Sequence, residues 1–391
     1  MNYEQSHRRL ISGQNTGLVA ASLRLVLGVA AMGYSLVVRL RNLLYSRGWL
    51  KVHHVDAAVI CVGNITTGGT GKTPLVVWVY KRIISNLKSQ ISDSHCAILT
   101  RGYKAAKDSG SKTQDYSDEI AILAESCPAA KVIVNPDRVA GATKAINEFS
   151  AKVLIMDDGF QHRKLARDIN IVTIDATQPF GYGRMLPAGL LREPVNSLKR
   201  ADAIVITRCD QTTEIELDEL VQKLRENHRD IIIARSTHAP VRVEYPDTSV
   251  IPANAGIQKD SEKVDSCLRR NDSIRKLKAK KVFAFCGIGN PEAFMHTIRS
   301  LGCKLVGSKV YDDHYHYTDD CLSDIYRQAE HLGAGLILTT QKDWTKISRL
   351  TPAKNRIPLA YLAIEIDFLS GREELTALIE DALHGRISKS P

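Results

Sequence analysis

Short, continuously apolar runs recur along this chain, separated by stretches with helical spacing. The runs at 57–62, 96–99, 131–134, 153–156, 169–174, 203–206 and 231–234 predict one series of strands. Those at 281–285, 305–310, 336–339 and 359–364 predict a second series. Helical spacing falls at 73–88, 137–149, 214–226, 291–301, 319–332 and 372–383. This alternation is the pattern of a parallel α/β sheet, whose strands are apolar on both faces because helices cover both.

Two stretches break the alternation. Residues 25–38, LVLGVAAMGYSLVV, form an apolar run of 14 residues followed by Arg39, Arg41, Arg47 and Lys51. A spanning helix needs about 20 apolar residues, so this one is short unless it extends back to Gly17. No small-residue cleavage site follows it, which argues against a secretory signal. An apolar helix with a basic flank fits the surface of an anionic bilayer, and the competing reading is a buried core helix. The second stretch, 247–275, has no sustained period and is rich in Ser, Asn, Asp and Lys. It resembles the translated product of a mobile palindromic DNA repeat, an insertion that a surface loop tolerates at little entropic cost. The expected organisation is an N-terminal membrane-associating helix (1–50), a first and larger α/β domain (51–246), an inserted linker (247–275) and a second, smaller α/β domain (276–391).

Composition narrows the partners. Hydrophobic residues at 44% and charged residues at 25% of the 391 exclude wholesale disorder. The excess of 53 Lys and Arg over 43 Asp and Glu favours an acidic partner: nucleic acid, an anionic membrane surface or a phosphorylated substrate. The basic residues are scattered and no nucleic-acid reader motif occurs, so nucleic acid is not expected. Eight cysteines lie far apart with no CxxC pair, which argues against a zinc site or disulfide framework and fits a reducing compartment.

The candidate chemistry centres on Gly68-Gly69-Thr70-Gly71-Lys72-Thr73, between a predicted strand and a predicted helix. In that context the segment is a phosphate-binding loop. Its amides and the helix N-terminus face phosphate oxygens, Lys72 reaches the β- and γ-phosphates, and the Thr73 hydroxyl ligates Mg²⁺. Thr66 stands where the general pattern has glycine. The strand at 153–156 runs into Asp157-Asp158, a Walker B arrangement that places carboxylates where ligands of open α/β sheets bind. Asp118, in a loop before a helix, is a candidate base, although an acid there also reads as a helix cap. His314, within YDDHYHY, is a candidate partner for such a base. With His316 it forms an HxH pair, but no further ligand follows at metal-site spacing.

Together the motifs resemble one family, the tetraacyldisaccharide 4′-kinases, which phosphorylate the lipid A precursor of Gram-negative bacteria. The matching pieces are VGNITTGGTGKTP (62–74), LTRGY (99–103), SDEIAILA (117–124), NPDRVAGA (135–142), MDDGFQHRKLARD (156–168), PAGLLREP (187–194), FCGIGNPEAF (285–294), YDDHYHY (311–317) and TTQKDWTKI (339–347). The resemblance implies ATP and Mg²⁺ as cofactors and a lipid A disaccharide 1-phosphate as acceptor, with no obligate protein partner. The location it implies is the cytoplasmic face of the inner membrane, peripheral or monotopic. It also implies Asp118 as catalytic base, paired with His314 from the second domain, and Asp157 and Asp158 as metal ligands beside Thr73. Thr66 becomes part of the family's own form of the loop. Arg192 and Glu193 are implied near the nucleotide, Arg138 near the substrate, and Gln161 and His162 beside the phosphates. Ile120, Asp312 and Tyr315 depart from the family pattern around the two catalytic positions. A nucleotide-switched ATPase at the membrane is the alternative, and it leaves DDGFQHR and the second domain without a role.

Overall fold

The structure is a computed structural model that describes residues 3–86, 95–102, 118–245, 273–313, 315–348, 350 and 357–387. His314 and almost all of the 247–275 segment lie outside the described residues, as does the Asp118 side chain. The chain forms two compact units, 1–238 with 366–391 and 239–365.

The first unit begins with α1 (Tyr3–Ile11) and α2 (Leu18–Ser46). The apolar run expected at 25–38 is the middle of one uninterrupted helix of 29 residues, long and apolar enough by composition to cross a membrane. Its two faces differ. Ala20, Ala31 and Val38 are buried at helical spacing, whereas Leu25, Val26, Val29, Met32, Leu36 and Val37 are each more than half exposed. The basic residues Arg39 and Arg41 continue this helix.

Seven parallel strands follow the order β3-β2-β4-β1-β5-β6-β7. They are β1 (Ala58–Gly63), β2 (Cys96–Thr100), β3 (Lys131–Val134), β4 (Val153–Asp157), β5 (Ile169–Asp175), β6 (Ala203–Thr207) and β7 (Ile232–Glu244), the last continuing past this unit. Every residue of β1, β2, β4 and β6 is buried, which explains their unbroken apolar sequences. Central β1 pairs with β4 on one side and β5 on the other, placing Val62 beside Asp157 and Gly63 beside Val172. The crevice beyond the carboxyl end of β1 is thus flanked by a strand on each side, where open α/β sheets bind ligands.

Helices α3 (Lys72–Asn86), α4 (Asp118–Ser126), α5 (Arg138–Phe149) and α6 (Glu214–Asn227) complete the crossovers. Asp137 caps α5 by accepting the Val139 and Ala140 amides, and Thr213 and Glu216 form a capping box on α6. Asp118 and Glu119, expected in a loop, are instead the first two residues of α4. Among the described residues the cysteines form no disulfide, and all but Cys321 are buried.

The second unit carries a parallel sheet in the order β11-β10-β8-β9. Its strands are β8 (Lys281–Cys286), β9 (Lys304–Val310), β10 (Leu336–Thr340) and the first part of β11 (Leu359–Ser370). Helices α7 (Pro291–Ser300), α8 (Asp319–His331) and the short α9 (Gln341–Ile347) are capped by Asn290, Thr318 and Thr340. The chain re-enters the first unit within β11. There α10 (Arg372–Ile387) sets Leu375, Ile379 and Leu383 into the core formed by Leu75, Val79 and Ile83 of α3. The described residues from 366 to 387 therefore belong with the first unit.

Candidate active site

The loop after β1 is shaped by its backbone. Gly68 and Gly71 adopt φ of 108° and 83°, a region open to glycine and costly for other residues. Thr66 has no positive φ and instead forms an antiparallel bridge with Leu191. The Thr67 amide donates to the Leu190 carbonyl at 2.8 Å, and the Arg192 amide donates to the Ile65 carbonyl at 2.7 Å. The residue at 66 is thus held extended by the 190–192 segment, and glycine is not required there. Inside the loop, the Asn64 amide donates to Thr70 Oγ1 at 3.0 Å, and Thr70 Oγ1 lies 2.8 Å from the Thr173 hydroxyl on β5. Asn64 and Thr173, both buried, are site residues that the sequence reading did not single out. Thr173 lies near the carboxyl end of a strand, which was the available signal.

β4 delivers the acids. Asp157 is its last residue and is buried, and Asp158 turns away from the strand at φ 49°. The Lys72 ammonium lies 3.5 Å from Asp158 Oδ1, and the Arg192 guanidinium lies 2.9 Å from Asp158 Oδ2. Burial alone would raise the Asp158 pKa, but Lys72 and Arg192 hold it down at about 2. Asp157 shows the opposite balance: burial, then the negative charges of Glu119 and Asp158, push its pKa up to about 7. Asp157 Oδ1 is buried and accepts no hydrogen bond, and buried Asp158 Oδ1 has only the Lys72 ammonium, at 3.5 Å. An orphaned carboxylate oxygen beside a second, lysine-paired one at a phosphate loop fits a hard divalent cation, which takes oxygen ligands of this kind. Thr73, one residue into α3 after Lys72, stands at the position for a hydroxyl ligand.

The other expected site residues divide into two groups. Gln161 faces the loop: its amide donates to the Asn64 carbonyl at 2.8 Å, and its oxygen lies 3.4 Å from Arg192 Nη1. His162 follows, the pKa of its imidazole lowered by burial and by the positive charges of Arg138, Arg101 and Arg167. Arg138 and Glu193 face inward. Arg138 is 1% exposed and donates to the carbonyls of Asn135 at 2.8 Å and Asp157 at 3.1 Å, so it fixes the end of β4. Glu193 is fully buried and turned toward α2. It accepts from Asn42 at 2.7 Å and from Arg200 at 2.5 Å, with Arg41 at 3.6 Å. Tyr34 of the same helix donates to the Arg192 carbonyl at 3.0 Å. The Arg192-Glu193 pair therefore joins α2 to the phosphate loop.

A glycine-rich loop at the end of a central parallel strand, with its lysine against an acid from the adjacent strand, defines a P-loop phosphotransferase site. The profile of the tetraacyldisaccharide-1-P 4′-kinases matches residues 23–384, and the chain belongs to that family. It is 35% identical over 381 residues to the tetraacyldisaccharide 4′-kinase of Chlorobaculum parvum, covering 95% of this chain and 98% of the relative. The Halothermothrix orenii tetraacyldisaccharide 4′-kinase is 32% identical over 369 residues, covering 90% and 91%. Among solved structures it is similar to LpxK from Aquifex aeolicus, described as an "apo" form in complex with ATP. That likeness has a TM-score of 0.63 at 28% identity and covers 92% of this chain and 99% of the other.

Proposed function

We propose that this protein transfers the γ-phosphoryl group of ATP to the 4′-hydroxyl of a tetraacyldisaccharide 1-phosphate, a step of lipid A biosynthesis. The observation that carries the reading is the cluster at the loop: Lys72 and Arg192 on Asp158, beside the orphaned Oδ1 of Asp157. Family membership supplies the acceptor class.

Phosphoryl transfer asks for alignment and charge stabilisation more than covalent chemistry. The loop amides between Gly68 and Gly71 receive the phosphate oxygens, and Lys72 moves from Asp158 to the β- and γ-phosphates. Thr73, Asp157 and Asp158 would hold Mg²⁺, which when bound would supply neutralising charge near the phosphates. Arg192 stays between Asp158 and Gln161 and lines the same mouth. Asp118, at the start of α4, accepts the proton of the sugar hydroxyl, and His314 supports turnover. Arg138 acts by fixing the Asp157 backbone. The exposed apolar face of α2 meets the membrane surface, where a four-chain lipid resides and where the basic residues after it favour anionic headgroups.

The test is incubation of the full-length protein with γ-labelled ATP, Mg²⁺ and a tetraacyldisaccharide 1-phosphate. Label in the lipid, lost in Lys72→Ala, is the expected result. A folded protein that releases labelled inorganic phosphate and leaves the lipid unlabelled would support the nucleotide-switched ATPase instead.

A further inference from the structure

A phosphate loop works only if its amides face the ligand, so its carbonyls must be held elsewhere. Two of them are captured from the β6 side. Arg208 Nη2 donates to the Gly69 carbonyl at 2.7 Å, and Thr207 Oγ1 donates to the Thr70 carbonyl at 3.1 Å. Thr207 ends β6 and is fully buried; Arg208 follows it, nearly buried, in the left-handed region at φ 57°. A non-glycine residue keeps that conformation only where its surroundings enforce it, and such positions cluster at functional sites. The enforcing partner is Asp175 at the end of β5, which forms an ion pair with Arg208 Nη1. Asp175 is itself fixed, accepting the Thr177 amide at 3.0 Å and the Thr177 hydroxyl at 2.7 Å.

His238 of β7 closes the same wall. A Cβ on Gly71 would lie 2.4 Å from its Nε2, so the imidazole sits directly against the loop. That Nε2 is buried without a hydrogen-bond partner, and burial together with the Arg208 charge keeps the ring neutral. A second cation at this place would oppose Arg208, whereas a neutral ring leaves the guanidinium free to serve Gly69 and Asp175.

We propose that Arg208, held by Asp175, is a positioning residue of the nucleotide site: it keeps the Gly69 carbonyl turned back, with Thr207 doing the same for Thr70, so that the loop amides face the phosphates. The proposal rests on the nucleotide reading of the loop given above. Arg208 acts on ATP binding through the loop and not on the lipid acceptor.

The experiment is calorimetric titration of MgATP into the full-length wild type, Arg208→Ala, Asp175→Asn and the double variant, with KM for ATP and for the lipid measured in parallel. Arg208→Ala is expected to weaken MgATP binding by about tenfold or more, and Asp175→Asn by a similar factor. The double variant is expected to be no weaker than Arg208→Ala alone, because the two residues act as one unit. KM for the lipid at saturating ATP stays unchanged, a split that general loosening of the fold would not give. If Arg208→Ala does not fold by circular dichroism, Arg208→Lys decides. It keeps the charge but cannot span both partners, and about fivefold weakening is expected. Binding within twofold of wild type in the folded Arg208 variant overturns the proposal alone. A folded wild type that binds no MgATP overturns the kinase reading and this proposal together.

Discussion

The Lys72 ammonium rests 3.5 Å from Asp158 Oδ1, so the cation proposed to serve the phosphates is held by the acid proposed to serve the metal. On the proposed roles, MgATP would exchange this ion pair for two others, lysine with phosphate and carboxylate with metal. Asp158→Asn keeps the shape of the site but removes the charge. It is expected to lower kcat about 10²–10³-fold, as when a group that stabilises transition-state charge is lost. Steady-state kinetics at saturating ATP and Mg²⁺ check this, and a kcat within threefold of wild type would place the metal elsewhere.

Asp157 gives a pH dependence with a defined sign. Its pKa stands at about 7 in the folded chain against an ordinary 3.8, so the nucleotide-free protein holds an extra proton between those values. A cation competes with that proton, and the apparent Mg²⁺ requirement should rise as pH falls from 8 to 6. Because the folded pKa is raised, stability declines as pH rises from about 4 to 7. Asp157→Asn is therefore expected to raise the melting temperature of nucleotide-free protein at pH 8 and to change it little near pH 4. Equal effects at both pH values would contradict the assignment.

Much of this arrangement was legible in the chain itself. The strands stood out because parallel sheets covered on both faces leave unbroken apolar runs such as 58–63 and 153–156. The phosphate loop and the two acids followed from their positions at strand ends. Thr66 was visible as an irregularity, but its cause is Leu191, a bridge between distant segments that no local pattern reports. Helix α9 was missed because seven residues carry too little period, and its Thr340 cap lies within the preceding strand. The return of α10 to the first unit rests on where Leu375, Ile379 and Leu383 find their core, which a helix read alone does not report. Arg138 and Glu193 illustrate the same limit: a charged residue in a motif reads as ligand-facing, and only burial shows that it faces inward.

Glu193 gathers Asn42, Arg41 and Arg200 beneath α2. Glu193→Ala leaves these donors without their acceptor and is expected to destabilise the fold by about 2–3 kcal/mol. Chemical denaturation checks the size of the loss. Protein that survives should retain near-normal KM for ATP; a large rise in that KM with unchanged stability would assign Glu193 to the nucleotide after all.

The outer face of α2 carries Val26 and Val37, each more than half exposed. Changing both to glutamate places two charges on the apolar stripe and should shift the protein from anionic vesicles to the supernatant on sedimentation. The folded core should be unaffected, since neither side chain packs into it. Undiminished vesicle binding by the double variant would show that α2 is not the anchor.

Asp118 opens α4, and its substitution separates chemistry from binding. Asp118→Ala is expected to lower kcat by about 10²-fold or more, in the range for loss of a general base, while MgATP affinity stays within about threefold. His314→Ala should lower kcat in the same direction. Weak ATP binding with normal turnover at saturation would remove Asp118 from the role of base.

The most direct test of the whole account is the position of the transferred phosphate. Phosphorus–proton correlation spectra of the lipid recovered after incubation with MgATP are expected to show a second phosphate coupled to the proton at the 4′ carbon, absent with Lys72→Ala. A folded, ATP-consuming protein whose lipid carries only its original 1-phosphate, or a new phosphate at another carbon, would contradict it.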